Sequence, residues 1–325
     1  MWGHRRSPAE PPGKTLLLAK RLVTCETRGL DPLGVFEAGA VLLDGDRIVA
    51  VGAAEALIAA HPDVARFEHA GLVTPGLVDA HTHAAWVGTR AEEYAMRMAG
   101  ADYEAIAAKG GGIVASMRAV RAASVDDLAR SLHARVVRML DMGVTTLEVK
   151  SGYGLSEADE RKQLEAIAAI AGEGVPRLLP TFLGLHALPP EARTGAQDDR
   201  ARYAAQATGW LDAFARERLA RHVDAYLDRG AFSVDEARPF LERAQALGFG
   251  IRLHVGQFAD VGGAELAAGL GAASVDHVEH LSRSGAEALA RAGTSAVLLP
   301  VASYTLGQAS PDVAALRAAG VPLVV

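Results

Sequence analysis

From residue 77 onward the chain alternates short apolar runs with longer helical stretches, and few architectures accept that rhythm. Strand-like segments fall at 77–81, 145–150, 177–182, 223–227, 251–254, 274–277, 296–300 and 322–325. Between most of them lie Ala-, Leu-, Arg- and Glu-rich stretches with helical periodicity, such as 124–142, 157–172 and 233–247. Ser124 with Asp127, and Ser233 with Glu236, have the spacing of capping boxes at helix starts. Gly143, Gly248 and Gly320 stand where those helices should stop. Eight strands separated by helices over about 250 residues predict a (β/α)₈ barrel of the α/β class. An open doubly wound sheet fits the same pattern, although no G-x-G-x-x-G turn follows the first strand.

The segment before the barrel differs in texture. Residues 1–13 are polar and Pro-rich and are expected to be disordered. Residues 14–71 carry short β-like pieces at 15–18, 40–44 and 47–52, with a turn at Gly45, and predict a small β domain. The expected barrel then occupies 72–325.

Composition removes several function classes. A net charge of −6 without any basic block argues against nucleic acid or a polybasic membrane surface as partner. The single cysteine, Cys25, rules out an intramolecular disulfide and any thiolate cluster, so a metal site must use His, Asp or Glu. There is no signal-like apolar core near the N-terminus and no unbroken apolar stretch of membrane-spanning length, so the cytoplasm is expected.

Reactive residues collect at the strand ends. His81 and His83 end the first strand, and their i, i+2 spacing lets both imidazoles reach one ion. Lys150 and Tyr153 follow the second, His186 follows the third, His254 ends the fifth and His277 ends the sixth. In a barrel these positions share the C-terminal rim, where catalysis occurs. Taken singly, each histidine is most simply a satisfied polar residue at a loop start; five strands converging on one rim is a different matter. Three imidazoles on a divalent ion, with His81, His83 and His254 the natural trio, would bring the pKa of a bound water towards neutrality.

The run Thr74-Pro-Gly-Leu-Val-Asp-Ala-His-Thr-His83 resembles the first-strand metal motif of the amidohydrolase superfamily. Four further blocks are similar to the imidazolonepropionase family: Arg90-Ala-Glu-Glu-Tyr-Ala-Met-Arg97, Lys109-Gly-Gly-Gly-Ile-Val-Ala-Ser-Met-Arg118, Glu148-Val-Lys-Ser-Gly-Tyr-Gly-Leu155 and Thr181-Phe-Leu-Gly-Leu-His-Ala-Leu-Pro-Pro190. The resemblance runs in order from about residue 72 to the end and is weaker before it and over 194–221. It implies hydrolysis of 4-imidazolone-5-propanoate to N-formimidoyl-L-glutamate in histidine degradation, with one divalent metal, Zn²⁺ or Fe, on His81, His83 and His254. By the same resemblance Arg90 meets the substrate's propionate, Tyr153 and His186 touch substrate, and Tyr103 is a further candidate contact. His277 matches a histidine beside the attacked carbonyl, and Gln257 stands in the strand-five motif as a substrate and catalytic candidate. A homodimer is implied at family level only. The plainer alternatives are Arg90 as a surface cation paired with Glu92 or Glu93, Tyr103 as packing, and Gly110–Gly112 as a simple loop. Lys150 is left out of the metal set, because Val-Lys-Ser-Gly-Tyr-Gly follows the mononuclear pattern.

Three departures stand out. The family's Asp-bearing segment after strand eight does not occur before Val325, so the chain as written is expected to be an incomplete barrel and, alone, a weak or inactive catalyst. His254-Val-Gly-Gln257 has Gly256 where the family usually carries an acid, and Gln257 cannot act as a base at neutral pH. Tyr226-Leu-Asp-Arg-Gly230 keeps a carboxylate, Asp228, where the family commonly has Cys-Glu. Two other readings stay open: a different metal-dependent cyclic-amide hydrolase or deaminase, and a truncated, non-catalytic paralogue.

Overall fold

The computed structural model describes residues 13–100, 111–172 and 174–325. Tyr103, Gly110 and most of the expected disordered extension lie outside the described residues. The chain divides into two compact units between Gly76 and Leu77.

In the first unit four strands form one sheet: β1 (Thr15–Val23), β2 (Val35–Asp44), β3 (Arg47–Ala53) and β4 (Ala65–Val73), ordered β3-β2-β1-β4. β1 runs antiparallel to β2 and parallel to β4. The parallel pairing requires a crossover, supplied by the helix Ala54–Ala60. Leu57 and Ile58 of that helix pack on Leu16, Ala40 and Leu42. The strand Ala65–Val73 is absent from the sequence expectation because its charged and glycine residues mask the β pattern; it carries the first sheet two residues past the expected boundary at 71.

In the second unit eight parallel strands follow one another in chain order. They are β5 (Leu77–Asp79), β6 (Val144–Lys150), β7 (Arg177–Leu185), β8 (His222–Leu227), β9 (Gly250–Val255), β10 (Ser274–His277), β11 (Ser295–Val297) and β12 (Leu323–Val324). This is the predicted eight-strand α/β order, but the edge strands β5 and β12 are not paired among the described residues, so the sheet is curled rather than closed. The strands 77–81 and 296–300 are shorter than expected. The chain leaves the sheet after Asp79, and Pro300 opens the helix Pro300–Leu306.

Both expected capping boxes form, Ser124 with Asp127 before the helix Val125–Asp141 and Ser233 with Glu236 before Val234–Ala246. Gly143 and Gly248 follow those helices with φ of 92° and 85°, a left-handed turn that glycine adopts without a Cβ penalty. Among the described residues no helix is long and apolar enough to cross a membrane.

Successive side chains of a strand point to opposite faces of its sheet. Leu147 and Val149, Val223 and Ala225, Ile251 and Leu253, and Val275 join the core beneath the helices, around Phe182, Phe214 and Phe240. Their sequence neighbours Glu148, Lys150, Asp224, Arg252, His254, Ser274 and Asp276 therefore point to the other side, into the curl of the sheet. The apolar face holds the fold together, and the polar face builds the site.

Candidate active site

His81, His83 and His254 converge. Ring centroids lie 4.7 Å apart for His81–His254, 5.1 Å for His81–His83 and 5.3 Å for His83–His254. Nε2 of His83 sits 3.2 Å from Nε2 of His254, and the three residues offer ligand atoms within 4.8 Å of one another. His81 Nδ1 lies 2.6 Å from Asp276 Oδ2, and His254 Nδ1 lies 3.1 Å from Asp224 Oδ1. A carboxylate only accepts, so each Nδ1 carries the proton and each Nε2 keeps a lone pair. His83 Nδ1 is buried with no hydrogen-bond partner among the described residues. The donor set fits a cation: three ring nitrogens converge, and two of the rings are held from behind by carboxylates.

Electrostatics agree. Burial, then the neighbouring histidines, hold His83 well below the usual imidazole range, and burial brings His254 down to about 3 against the pull of Asp224. Neutral imidazoles are the form that ligates a metal.

His186, Tyr153 and His277 lie beside this trio. His186 stacks on His83 at 5.1 Å, and Tyr153 lies 5.3 Å from His186 and 5.8 Å from His83. His186 Nδ1 donates to the Gly152 carbonyl at 2.8 Å, which leaves its Nε2 as an acceptor. His277 comes within 5.4 Å of His254 and 5.6 Å of His81, with its Nδ1 3.7 Å from Glu279 Oε2. Gln257 Oε1 accepts from the Tyr226 hydroxyl at 2.9 Å, which turns its amide N–H groups into the available function. Arg90 donates through Nε and Nη2 to Glu93 Oε2 at 2.8 and 2.6 Å, so the guanidinium fork already faces a carboxylate. Burial pushes the Tyr153 hydroxyl above the usual phenol range, against the opposing pull of the Arg90 charge. Asp228 is tied up, accepting the backbone N–H of Arg229 at 2.6 Å and of Phe258 at 2.9 Å. It anchors the turn that carries Gln257. Gly256 turns there with a φ of 65°, which a side chain at that position would resist.

Several functional residues escaped the sequence reading. Glu160, fully buried, accepts the backbone N–H groups of Gly152, Gly154 and Leu155 at 2.8, 2.9 and 2.7 Å. Gln163 accepts from the Tyr153 N–H at 3.1 Å. A Cβ on Gly154 would fall 2.4 Å from the backbone of Asp159 and Glu160. The Ser-Gly-Tyr-Gly loop is thus bent over one carboxylate, which fixes Tyr153 at the rim. Glu160→Ala strands three buried donors and should cost roughly 3 kcal/mol or more of stability, read by denaturant unfolding. Asp224, Asp276 and Glu148 also went unrecognised, although the polar–apolar alternation in Val-Thr-Thr-Leu-Glu-Val-Lys150 and Ser-Val-Asp-His277 carried the signal.

Burial lowers His186 to about 4, against an unfolded value near 6.5. Between those values the unfolded chain binds the extra proton. This histidine's contribution is therefore complete above pH 6.5 and is lost as pH falls towards 4. His186→Gln should flatten the pH dependence of unfolding in that window by up to about 1.4 kcal/mol per pH unit relative to the unmutated chain, measured by denaturation of both proteins from pH 7 to pH 4.5.

The chain is similar to known proteins in sequence and in fold. A family model described as "Imidazolonepropionase-like composite domain, bacteria" matches residues 39–63. The imidazolonepropionase of Polaromonas sp. (strain JS666 / ATCC BAA-500) is 47% identical over 291 residues, 89% of this chain and 68% of that protein. The chain belongs to the imidazolonepropionase family. The imidazolonepropionase of Paracidovorax citrulli (strain AAC00-1) is 46% identical over 289 residues, 88% of this chain and 68% of the relative. Among solved structures, a guanine deaminase from C. acetobutylicum superposes with a TM-score of 0.70 over 96% of this chain and 74% of its own, at 12% identity. An adenosine deaminase from Xanthomonas campestris gives 0.63 over 96% and 68%, at 19% identity. These two show the fold alone.

Proposed function

We propose that the chain is a cytoplasmic, metal-dependent hydrolase that opens the ring of 4-imidazolone-5-propanoate to give N-formimidoyl-L-glutamate in histidine degradation. The observation that carries the reading is the convergence of His81, His83 and His254, with Tyr153, His186 and His277 around them, in a member of this family. His81, His83 and His254 would hold one divalent ion, Zn²⁺ or Fe. Such an ion lowers the pKa of water and polarises carbonyls as a Lewis acid.

This chain's own groups supply the rest. Arg90 exchanges Glu93 for the substrate's propionate, a carboxylate for a carboxylate, with the same bidentate fork. Tyr153 packs against the ring of the substrate. His186, protonated at Nδ1, accepts a ring N–H at Nε2. Gln257, its oxygen held by Tyr226, donates its amide N–H and serves as an orienting group, not a base. His277 polarises the attacked carbonyl or carries the proton towards the departing ring nitrogen.

The test is incubation of the purified chain with 4-imidazolone-5-propanoate, following loss of imidazolone absorbance, with and without a chelator. Metal-dependent formation of N-formimidoyl-L-glutamate, even at a low rate, is the expected result. Bound metal with no turnover of this ring, but turnover of another cyclic amide or an aminated ring, would replace the substrate. Arg90→Lys should raise KM about tenfold or more while kcat changes less, because an ammonium cannot reproduce the fork.

A further inference from the structure

Lys150 is wholly buried, at 0% exposure, in the curl of the sheet beneath the histidines. Its Nζ donates to Asp224 Oδ2 at 2.7 Å, Glu148 Oε1 at 2.9 Å and Asp276 Oδ2 at 3.2 Å. An ammonium has three hydrogens, and here each has a carboxylate. The three partners come from β6, β8 and β10, alternate strands whose inward residues share one layer, as in a barrel interior. With no hydrogen left over, this lysine has no free valence for substrate or for bridging a second ion.

Two of its three partners lead directly to the histidines. Asp276 Oδ2 is shared between Lys150 and Nδ1 of His81, at 2.6 Å to the ring. Asp224 is shared in the same way: Oδ2 takes Lys150 and lies 3.0 Å from His254 Nδ1, while Oδ1 accepts the backbone N–H of His254 at 3.2 Å and lies 3.1 Å from the same Nδ1. The third partner goes elsewhere. Glu148 is held by the Thr181 hydroxyl at 2.7 Å and lies 3.4 Å from Arg252 Nε. Two aspartates brought this close in a buried site repel each other and turn apart unless a cation lies between them.

We propose that Lys150 is a positioning residue of the metal centre. Its ammonium clamps Asp224 and Asp276 together, so that both carboxylates fix the Nδ1–H form and the orientation of His254 and His81, and both Nε2 lone pairs face the ion. The inference rests on the reading that His81, His83 and His254 hold that ion. It assigns the lysine neither to the ligand set nor to substrate.

The test measures Zn²⁺ affinity by chelator competition, and the visible spectrum of the Co²⁺-loaded protein, on the full chain and its variants. Lys150→Met should weaken Zn²⁺ binding by about 10–100-fold and shift the Co²⁺ bands. Glu148→Gln, which alters a partner of Lys150 that makes no hydrogen bond to a histidine among the described residues, should lower thermal stability yet leave Zn²⁺ affinity within about threefold, well short of the loss expected for an outer partner of a ligand. A folded Lys150→Met protein with unchanged affinity and spectrum overturns the proposal. If Lys150→Met does not fold, Lys150→Gln decides, since its amide keeps a hydrogen-bond donor but removes the charge between the two aspartates: a loss of about 10–100-fold supports the clamp, and unchanged affinity overturns it. Equal losses in Glu148→Gln and the folded Lys150 variant also overturn it, because the network would then be acting through stability alone. Zn²⁺ binding to the unmutated chain that His83→Ala leaves intact removes the underlying metal site, and the inference with it.

Discussion

His254→Ala is expected to abolish stoichiometric binding of the divalent ion and to lower ring-opening by about three orders of magnitude or more, the scale of losing a Lewis acid worth several kcal/mol. His254 ends β9 with its Nε2 facing that of His83 and its Nδ1 on Asp224. Alanine removes a donor from the trio and also takes from buried Asp224 one of its hydrogen bonds, leaving it the backbone N–H of residue 254 and Lys150. His83→Ala makes a useful contrast. The Nδ1 of His83 has no hydrogen-bond partner among the described residues to lose, so this variant should lose the ion to the same degree but unfold at a higher denaturant concentration than His254→Ala. Metal content after gel filtration, turnover and urea unfolding of the two proteins decide the matter. Full metal content in either variant would take that residue out of the ligand set.

The reason the sequence shows His81, His83 and His254 but hides their supports is physical. A histidine pair at i, i+2, or one ending a strand, is conspicuous within a few residues. The same holds for Ser124 and Ser233, whose caps are built from neighbours three positions on. Asp224 and Asp276 lie 74 and 126 residues along the chain from Lys150. Each reads singly as an ordinary polar residue in a strand, and only the register of alternate strands brings them to one point. Glu160 is hidden differently. It lies in a helical segment and looks like a surface acid, whereas its actual partners are N–H groups of the preceding loop. The strand Ala65–Val73 is illegible for a third reason: its burial is slight and its pairing with β1 is parallel and non-local. Spacing within an element is written locally, while register between elements is written nowhere in particular.

His277→Gln is the second large effect expected: kcat lower by about 10²–10⁴-fold, the worth of general acid–base help, with the bound ion retained. The backbone supports this assignment. His277 and Val278 both take positive φ, 84° and 62°, and for a β-branched valine that conformation costs about 1–3 kcal/mol. The tip is held there by the Val278 N–H donating to Val255 O at 3.0 Å and the His280 N–H donating to Gly256 O at 2.8 Å. Glu279 is braced on its far side by the Ser303 hydroxyl at 2.6 Å. The twisted tip turns the His277 ring towards His81 and His254. A regular strand ending would send residue 277 to the face opposite Asp276, away from them. Val278→Gly separates strain from function. Relief of the strained φ and loss of a buried isopropyl group, itself worth about 1.5–3 kcal/mol, nearly cancel, so stability should change little. With the tip free to relax, kcat should fall while KM and metal content stay near those of the unmutated chain. Unchanged kcat in both variants would mean that the twisted tip serves only packing, and the proton would have to travel through another group.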